Sequence, residues 1–515
     1  MAVGLKEGFF GAALKSGKAY RYRRAGFFYA RASRKVLECK SISANGGSCL
    51  QGIRFGTDGW RGIIARDFTF ANVELVAAAV AAHLRNEGLS EKGAVIAYDN
   101  RFLADHFAAA AAEVLRRWGI TVYLPERSVP TPVAAFAIRH LDTGGAVVVT
   151  ASHNPPEYCG IKFIPDYAGP ALPEVTRKIE SLLAEPAGIP NESPAPLIKL
   201  DVVEEYFAHL LTLIDRDVIG KAILKIVVDS MYGAGIGYLE TILERLGVKV
   251  TAINNHRDPL FGGGLPDPAE ARLGKLKEMV RSTGSHLGLA LDGDADRLGI
   301  IDADGSYISP NQMLALACYH LIEKRGWRGM VARTVATTHL VDRIAKAYGV
   351  EVRETPVGFK YIGKCLREPG CICGGEESGG LSILGHVPEK DGILAGLLAS
   401  EIAAVNAKPL TEVLREITDR FGQVASIRVD CRTMPEEKNR ILECLKSFRP
   451  TKFAGEAVKY CNDIDGLKME LSSGAWVLVR ASGTEPVFRI YAEAATPDRA
   501  KEIQETLCKE LELGS

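Results

Sequence analysis

From about residue 71 the chain alternates stretches of helical periodicity with short apolar runs closed by glycine or aspartate, and this alternation restricts the fold more than any other feature. Helical stretches are read over 71–86, 103–118, 132–140, 270–282, 310–325 and 338–348, and strand-like runs over 94–98, 146–149, 223–228, 287–291 and 330–333. A helix that carries the chain back beside the strand it has left makes a βαβ unit, so the pattern predicts mostly parallel sheets with helices on their faces. At 515 residues the chain exceeds what one hydrophobic core organises, and several domains are expected.

Local punctuation divides it. Residues 184–196 carry four prolines among small and polar neighbours, poor material for helix or strand, and read as a linker that ends a first unit. Asp304-Gly305, between the apolar runs 298–301 and 307–308, reads as a hairpin turn closing a second unit. A third αβ unit runs to about 405. Beyond 420 the pattern changes to short strands (425–429, 476–479, 488–492) and a final helix from about 497, an α+β arrangement. Three successive αβ units point to a degenerate internal repeat, although no letter-by-letter period accompanies it.

Charge excludes some partners. Basic and acidic side chains both total 63, so nothing draws the whole chain to nucleic acid or an anionic membrane. No run of about 18 apolar residues is free of charge, and a membrane span is not expected. Residues 1–50 differ, with ten basic side chains against two acidic ones. That stretch reads as a targeting peptide or an upstream extension dispensable for activity. The eleven cysteines, an odd number with only Cys371 and Cys373 closely spaced, form neither a disulfide framework nor a zinc ligand set; a reducing cytoplasm fits them.

Four short segments carry candidate chemistry. Thr150-Ala151-Ser152-His153-Asn154-Pro155-Pro156 follows an apolar strand, and a serine just past the carboxyl end of a parallel strand lies where α/β sheets place their ligands. A polar Asn-Pro turn is the alternative reading. His153 beside it and Lys162 ten residues on are candidate proton carriers. In Leu291-Asp292-Gly293-Asp294-Ala295-Asp296-Arg297, alternate spacing puts three carboxylates on one side of an extended segment. Such density calls for a hard cation, and Mg2+ suits it because it takes a few carboxylates and leaves positions for water and a phosphoryl oxygen. A calcium EF-hand fails, since Arg297 and Ala303 stand where it needs glycine and glutamate; a solvated acidic turn is the remaining alternative.

The third segment, Gly374-Gly375-Glu376-Glu377-Ser378-Gly379-Gly380, offers paired acids and a hydroxyl on a flexible loop suited to vicinal sugar hydroxyls, though surface loops share that composition. In the fourth, Arg480-Ala481-Ser482-Gly483-Thr484-Glu485-Pro486 with Arg489 beyond it, guanidinium forks, hydroxyls and glycine-freed amides could cradle a phosphate. A plain Ser-Gly turn between strands is the alternative.

In this order and at these separations, and with the opening Phe55-Gly56-Thr57-Asp58-Gly59-Trp60-Arg61-Gly62, the segments resemble the α-D-phosphohexomutase superfamily of phosphoglucomutase, phosphomannomutase and phosphoglucosamine mutase. The likeness covers residues from about 52 to 510. It implies an α/β protein with three successive α/β domains of similar topology and a C-terminal α+β domain around a central cleft. With a basic extension over 1–51, the domains would be 52–190 (phosphoserine loop), 200–305 (metal loop), 306–410 (sugar loop) and 420–515 (phosphate loop).

The resemblance also implies roles. Ser152 would carry the phosphoryl group and, with Asp292, Asp294 and Asp296, hold Mg2+. Arg61 and Arg297 would steady the charges; Glu376 and Ser378 would grip sugar hydroxyls. Arg480, Ser482, Gly483, Thr484 and Arg489 would hold the phosphate that is not reacting. A hexose 1,6-bisphosphate would be both intermediate and activator, the substrate a small sugar phosphate, and the protein a monomer or homodimer.

Two departures stand out. Cys159 occupies a position where relatives often carry asparagine, which would put a thiol near the cleft. Gly380 stands where mannomutase-type members carry a proton-carrying histidine, and that role would pass to Lys360 in the glucomutase-like segment Thr355-Pro356-Val357-Gly358-Phe359-Lys360. Both favour glucose over mannose or glucosamine. A non-catalytic regulator keeping the fold would have lost Ser152 or broken the aspartate set, and neither has happened. A phosphatase or kinase fits worse, since no G-x-x-x-x-G-K-[ST] loop occurs.

Overall fold

The computed structural model describes residues 53–56, 59–184, 193–482 and 487–513. The N-terminal extension over 1–51, Gly483 and Thr484 lie outside the described residues.

Four sheets follow one another along the chain. In the first, the strands at 145–149, 94–98, 122–124 and 197–199 run parallel, and 158–165 lies antiparallel between 145–149 and 60–63. The second has the order 307–308, 298–302, 287–291, 225–229, 249–253, and the third 381–383, 371–375, 330–334, 351–355. Counting from 94–98, 225–229 and 330–334, four strands in each of the first three sheets stand in the same spatial order, fourth-third-first-second, with the fourth antiparallel. The repeat is one of topology. What recurs is which strand pairs with which, so nothing in the letters need recur with it.

The pairing follows from the residues. The strands Ala94–Tyr98, Gly145–Val149, Leu287–Leu291, Met330–Thr334 and Cys371–Gly375 are buried along their whole length, as strands covered by helices on both faces must be, which is why they read as apolar runs, broken only at Arg333 and Thr334, where Arg333 is paired with Asp342 and Glu354. One apolar cluster runs through all three units, from Val95 to Ile417, and a second fills the other face of the first sheet. The fourth sheet is antiparallel throughout and carries the helices Pro435–Ser447 and Pro497–Glu510, the α+β arrangement expected. Its core is separate, and Val335, Ala336, Trp476, Leu478 and Tyr491 join it to the third unit.

This shared topology arranges the candidate loops. In each of the first three units the third and fourth strands form a hairpin, and its loop leaves the carboxyl end of the third strand. Those three loops are 150–157, 292–297 and 376–380, which hold the serine, the aspartates and the Glu-Glu-Ser run.

Candidate active site

Ser152 sits on a strained backbone. Its φ of 51° is in the left-handed region that side chains seldom adopt, and its N–H donates to Thr150 Oγ1 at 2.8 Å. The strain is held by Arg101, which is fully buried and donates to the carbonyls of Ser152 (2.6 Å), Asn154 (2.7 Å), Pro155 (2.7 Å) and Tyr158 (2.9 Å). Asp99 in turn accepts from Arg101 Nε at 3.1 Å and Thr150 Oγ1 at 2.5 Å. Arg61 reaches the same loop through Asn154 Oδ1 at 2.6 Å. The functional-looking loop is thus wrapped around one buried guanidinium.

The metal loop presses directly against it. Ser152 Oγ donates to Asp292 Oδ2 at 2.9 Å, and a Cβ on Gly293 would lie 2.4 Å from the Ser152 carbonyl oxygen, so only glycine permits the approach. Asp292 Oδ1 accepts the N–H groups of Asp296 (2.9 Å) and Arg297 (3.0 Å), which curls the loop around its own first carboxylate. The ligand oxygens of Asp292, Asp294 and Asp296 lie within 4.8 Å of one another, and all three residues are buried. Asp294 Oδ1 and Asp296 Oδ1 are buried without a hydrogen-bond partner among the described residues. Orphaned buried carboxylate oxygens converging at this range are the donor set a hard divalent cation takes, and the residues fit one.

Two lysines answer the acidic cluster. Strand alternation explains the first: Cys159, Ile161 and Phe163 face the core of the first sheet, and Lys162 points the other way. Its Nζ donates to Asp294 Oδ2 at 2.8 Å and Asp296 Oδ2 at 3.0 Å. The second is Lys390, 3.2 Å from Asp296 Oδ2. Thr131 Oγ1 also donates to Asp294, at 2.6 Å. Burial raises the Asp292 carboxyl well above the ordinary carboxylate range, and the neighbouring Asp296 and Asp294 add to it. Burial acts the same way on Asp294, but Lys162, Thr131 and Lys390 outweigh it and hold that carboxyl low. The Arg297 charge, burial and Arg61 keep His153 neutral near pH 7. Its Nδ1 stands 3.3 Å from Ser152 Oγ.

The Glu-Glu-Ser loop adjoins the metal loop, where a Cβ on Gly379 would meet Arg297 Cβ at 3.7 Å. Ser378 Oγ donates to Glu376 Oε1 at 2.5 Å, and burial raises the Glu376 carboxyl despite Lys390 nearby. Glu377 turns the other way, accepting from Thr334 Oγ1 at 2.9 Å and standing 3.5 Å from the Tyr491 hydroxyl of the fourth unit. In that unit Arg480 and Arg489 are directly opposed across the ladder. Like charges so placed repel unless an anion lies between them. Arg480 also pairs with Asp465 at 3.0 Å, and the Ser482 carbonyl accepts from Lys438 Nζ at 2.7 Å.

The structure overturns one part of the sequence reading, at Cys159, and adds to it around Lys360 and Gly380. Cys159 is fully buried in the core of the first sheet, so its thiol is not a cleft group. Lys360, at the start of the helix Phe359–Leu366, is half-buried with Nζ 5.5 Å from the Tyr361 ring, whereas Lys390 is the lysine brought to the aspartates beside Lys162. The space beside Gly380 is filled by Lys390, whose Cγ and Cδ would lie 2.6 Å from a Cβ there. Lys390, Arg101 and Thr131 are participants that sequence reasoning missed. The polar run Asp99-Asn100-Arg101 at the end of a buried strand was the available signal for one of them.

Comparison with known proteins places this arrangement. Four domain models of the phosphoglucomutase/phosphomannomutase type match in order: the α/β/α domains I, II and III over 52–187, 204–305 and 309–421, and the C-terminal domain over 433–510. A phosphoglucomutase/phosphomannomutase of Thermococcus kodakarensis is 32% identical over 463 residues, covering 89% of this chain and 98% of its own. A phosphoglucomutase of Komagataeibacter xylinus is 31% identical, covering 86% and 88%. Phosphoglucosamine mutases match at comparable identity. Among solved structures, a Thermus thermophilus protein described as a phosphomannomutase superposes with a TM-score of 0.79 at 36% identity, covering 90% of this chain and 99% of its own.

Proposed function

The chain belongs to the phosphoglucomutase/phosphomannomutase family and is a phosphohexomutase, an intramolecular phosphotransferase, and from that premise we propose that it interconverts glucose 1-phosphate and glucose 6-phosphate through a phosphorylated Ser152. The observation that carries the reading is the contact between Ser152 Oγ and Asp292 Oδ2 beside three clustered carboxylates. It puts a nucleophile and a cation site in one buried place.

Phosphoserine at 152 would donate to one sugar hydroxyl, giving hexose 1,6-bisphosphate. After the intermediate turns around, the opposite phosphate returns to the serine. Mg2+, when bound to Asp292, Asp294 and Asp296, supplies charge neutralisation of the transferring phosphoryl group. Lys162, Lys390, Arg61 and Arg297 add fixed positive charge around it, and positioning of this kind is where most phosphoryl-transfer catalysis resides. His153, Lys162 and Lys360 are the proton carriers to be separated, and the Arg297 and Arg61 charges and burial that keep His153 neutral also oppose its taking up a proton. Glu376 and Ser378 are assigned to sugar hydroxyls, and Arg480, Ser482, Gly483, Thr484 and Arg489 to the distal phosphate. The four segments 52–190, 200–305, 306–410 and 420–515 are taken as the domains that bring these loops together, with the first sheet reaching past the proline-rich stretch to the strand 197–199 and the second reaching to 307–308.

Preference for glucose rests on Gly380, where mannomutase-type members carry a histidine, and on the glucomutase-like segment Thr355-Pro356-Val357-Gly358-Phe359-Lys360. The nine described cysteines, all unpaired, suit a reducing cytoplasm. Relative turnover on glucose, mannose and glucosamine 1-phosphates, with Mg2+ and a trace of glucose 1,6-bisphosphate, tests the reading. The glucose substrate should lead, and faster turnover of either rival overturns the preference.

A further inference from the structure

Lys390 reaches the metal loop from a segment that is gripped on every side. Pro388 is caught between two glycines: a Cβ on Gly169 or on Gly363 would lie 2.7 Å or 2.5 Å from its carbonyl oxygen. The carbonyl of His386 accepts from Arg139 Nη1 at 3.1 Å, and that of Val387 from Ser382 Oγ at 2.8 Å. All of these bonds converge on a stretch that ends at Asp391, which is fully buried.

The Asp391 carboxylate makes four bonds with divided purposes. Oδ1 accepts the N–H groups of Ile393 and Leu394, both at 2.9 Å, and so caps the helix Gly392–Asn406. Oδ2 accepts the Tyr206 hydroxyl at 2.6 Å and faces His386 Nε2 at 2.8 Å. His386 Nδ1 in turn faces His209 Nε2 at 3.0 Å. With Nε2–H on both rings every contact in this line has a donor and an acceptor. Burial, His386 and Arg139 push His209 down to about 4, so it is neutral at pH 7 and the line is stable there.

On either side of Asp391, the backbone and side chains meet the aspartate loop. Lys390 Nζ is on Asp296, and Gly392 N–H donates to the Ala295 carbonyl at 3.1 Å, where a Cβ on Gly392 would lie 2.5 Å from the Arg297 carbonyl. We propose that Asp391 is a positioning residue of the phosphoryl transfer, holding peptide 390–392 so that the Lys390 ammonium and the Gly392 N–H meet the aspartate loop in one fixed geometry. The idea rests on the reading of this site as the place of transfer. Capping alone needs only Oδ1; the Tyr206–His386 side serves the position of the segment.

Asp391→Asn separates the two purposes, because asparagine caps a helix about as well as aspartate but its amide nitrogen cannot accept from Tyr206 or His386. In the full chain with Mg2+ and glucose 1,6-bisphosphate, Asp391→Asn should lower kcat about tenfold or more while KM moves less than about threefold. Lys390→Met alone, and both changes together, complete a cycle. The combined loss should be smaller than the product of the single losses by about threefold or more, since Asp391 acts through Lys390. Near-normal kcat in Asp391→Asn, or losses that simply multiply, overturns the proposal. Wild-type protein inactive on all three sugar phosphates would instead sink the underlying functional reading. Should Asp391→Asn not fold, Tyr206→Phe removes one bond on the same side and carries the same cycle with the same criteria.

Discussion

At Ser152 the backbone angle, the buried Arg101 behind it and the Asp292 acceptor in front leave the hydroxyl a single direction to face. Ser152→Ala should lower turnover by at least about three orders of magnitude, since a covalent carrier has no substitute. Intact mass should show one phosphate on the wild type and none on the variant. Lys360→Arg tests the proton question, because arginine keeps the charge but holds its proton near neutral pH. Turnover should fall roughly a hundredfold at nearly constant KM, and a near-normal rate returns the role to His153 or Lys162. At position 380 any side chain must displace Lys390. Gly380→His should therefore lose about 1–3 kcal/mol through overpacking, and adding Lys390→Ala should restore the thermal midpoint without restoring turnover. The serine and aspartate loops were legible as polar turns after apolar strands, but the aspartates converge through a curled loop and not through the extended alternation that their spacing predicts. Lys390 was not: its partner Asp296 is 94 positions away in sequence, and no local pattern announces a lysine that crosses between hairpins.

Among the elements, the helix Leu410–Phe421 depends on a residue far from it. Its N-cap, Pro409, offers no side-chain bond, and the carboxylate of buried Asp302 takes the N–H groups of Leu410 (3.1 Å) and Thr411 (2.8 Å) and the Thr411 hydroxyl (2.7 Å). Asp302→Ala should cost about 1–3 kcal/mol locally, seen as faster amide exchange over the first turn of that helix with the serine loop unaffected. The alternating units were readable in the sequence because parallel strands buried on both faces must be apolar throughout. The helix Gly392–Asn406 escaped the same reading. It is buried from Gly392 through Ala403 and packs against strands and helices of the second unit as well as its own, so it has no polar face and no helical period to detect. The repeat was legible only as an alternation of types, because strand order is a property of pairing partners and sequence periodicity does not record it.

Over the whole molecule, the third and fourth units meet around a buried lysine. Lys468 Nζ lies 2.7 Å from Glu354 Oε1, 2.8 Å from His339 Nε2 and 4.5 Å from the centre of the Trp476 ring. Burial, and then the Arg333 charge, lower it from 10.5 to about 8, more than Glu354 compensates. Between those values the folded protein has released a proton that the unfolded chain still binds, so this group makes stability rise with pH from about 8 to about 10.5. Relative to Lys468→Met, the wild type should gain up to about 3 kcal/mol across that window in denaturant titrations. A flat difference between the two proteins would remove Lys468 from the account. The burial of Ser152, only 1% exposed, bears on how such an enzyme is kept running. On the proposed role of Ser152, a phosphoryl group carried there would be sheltered from hydrolysis between encounters with sugar. Re-priming is then needed at the rate of rare leaks to water and not at the rate of catalysis. A few molecules of bisphosphate, made elsewhere and handed over once, would sustain a long succession of turnovers, and cellular demand for the activator would scale with the age of the enzyme population rather than with flux.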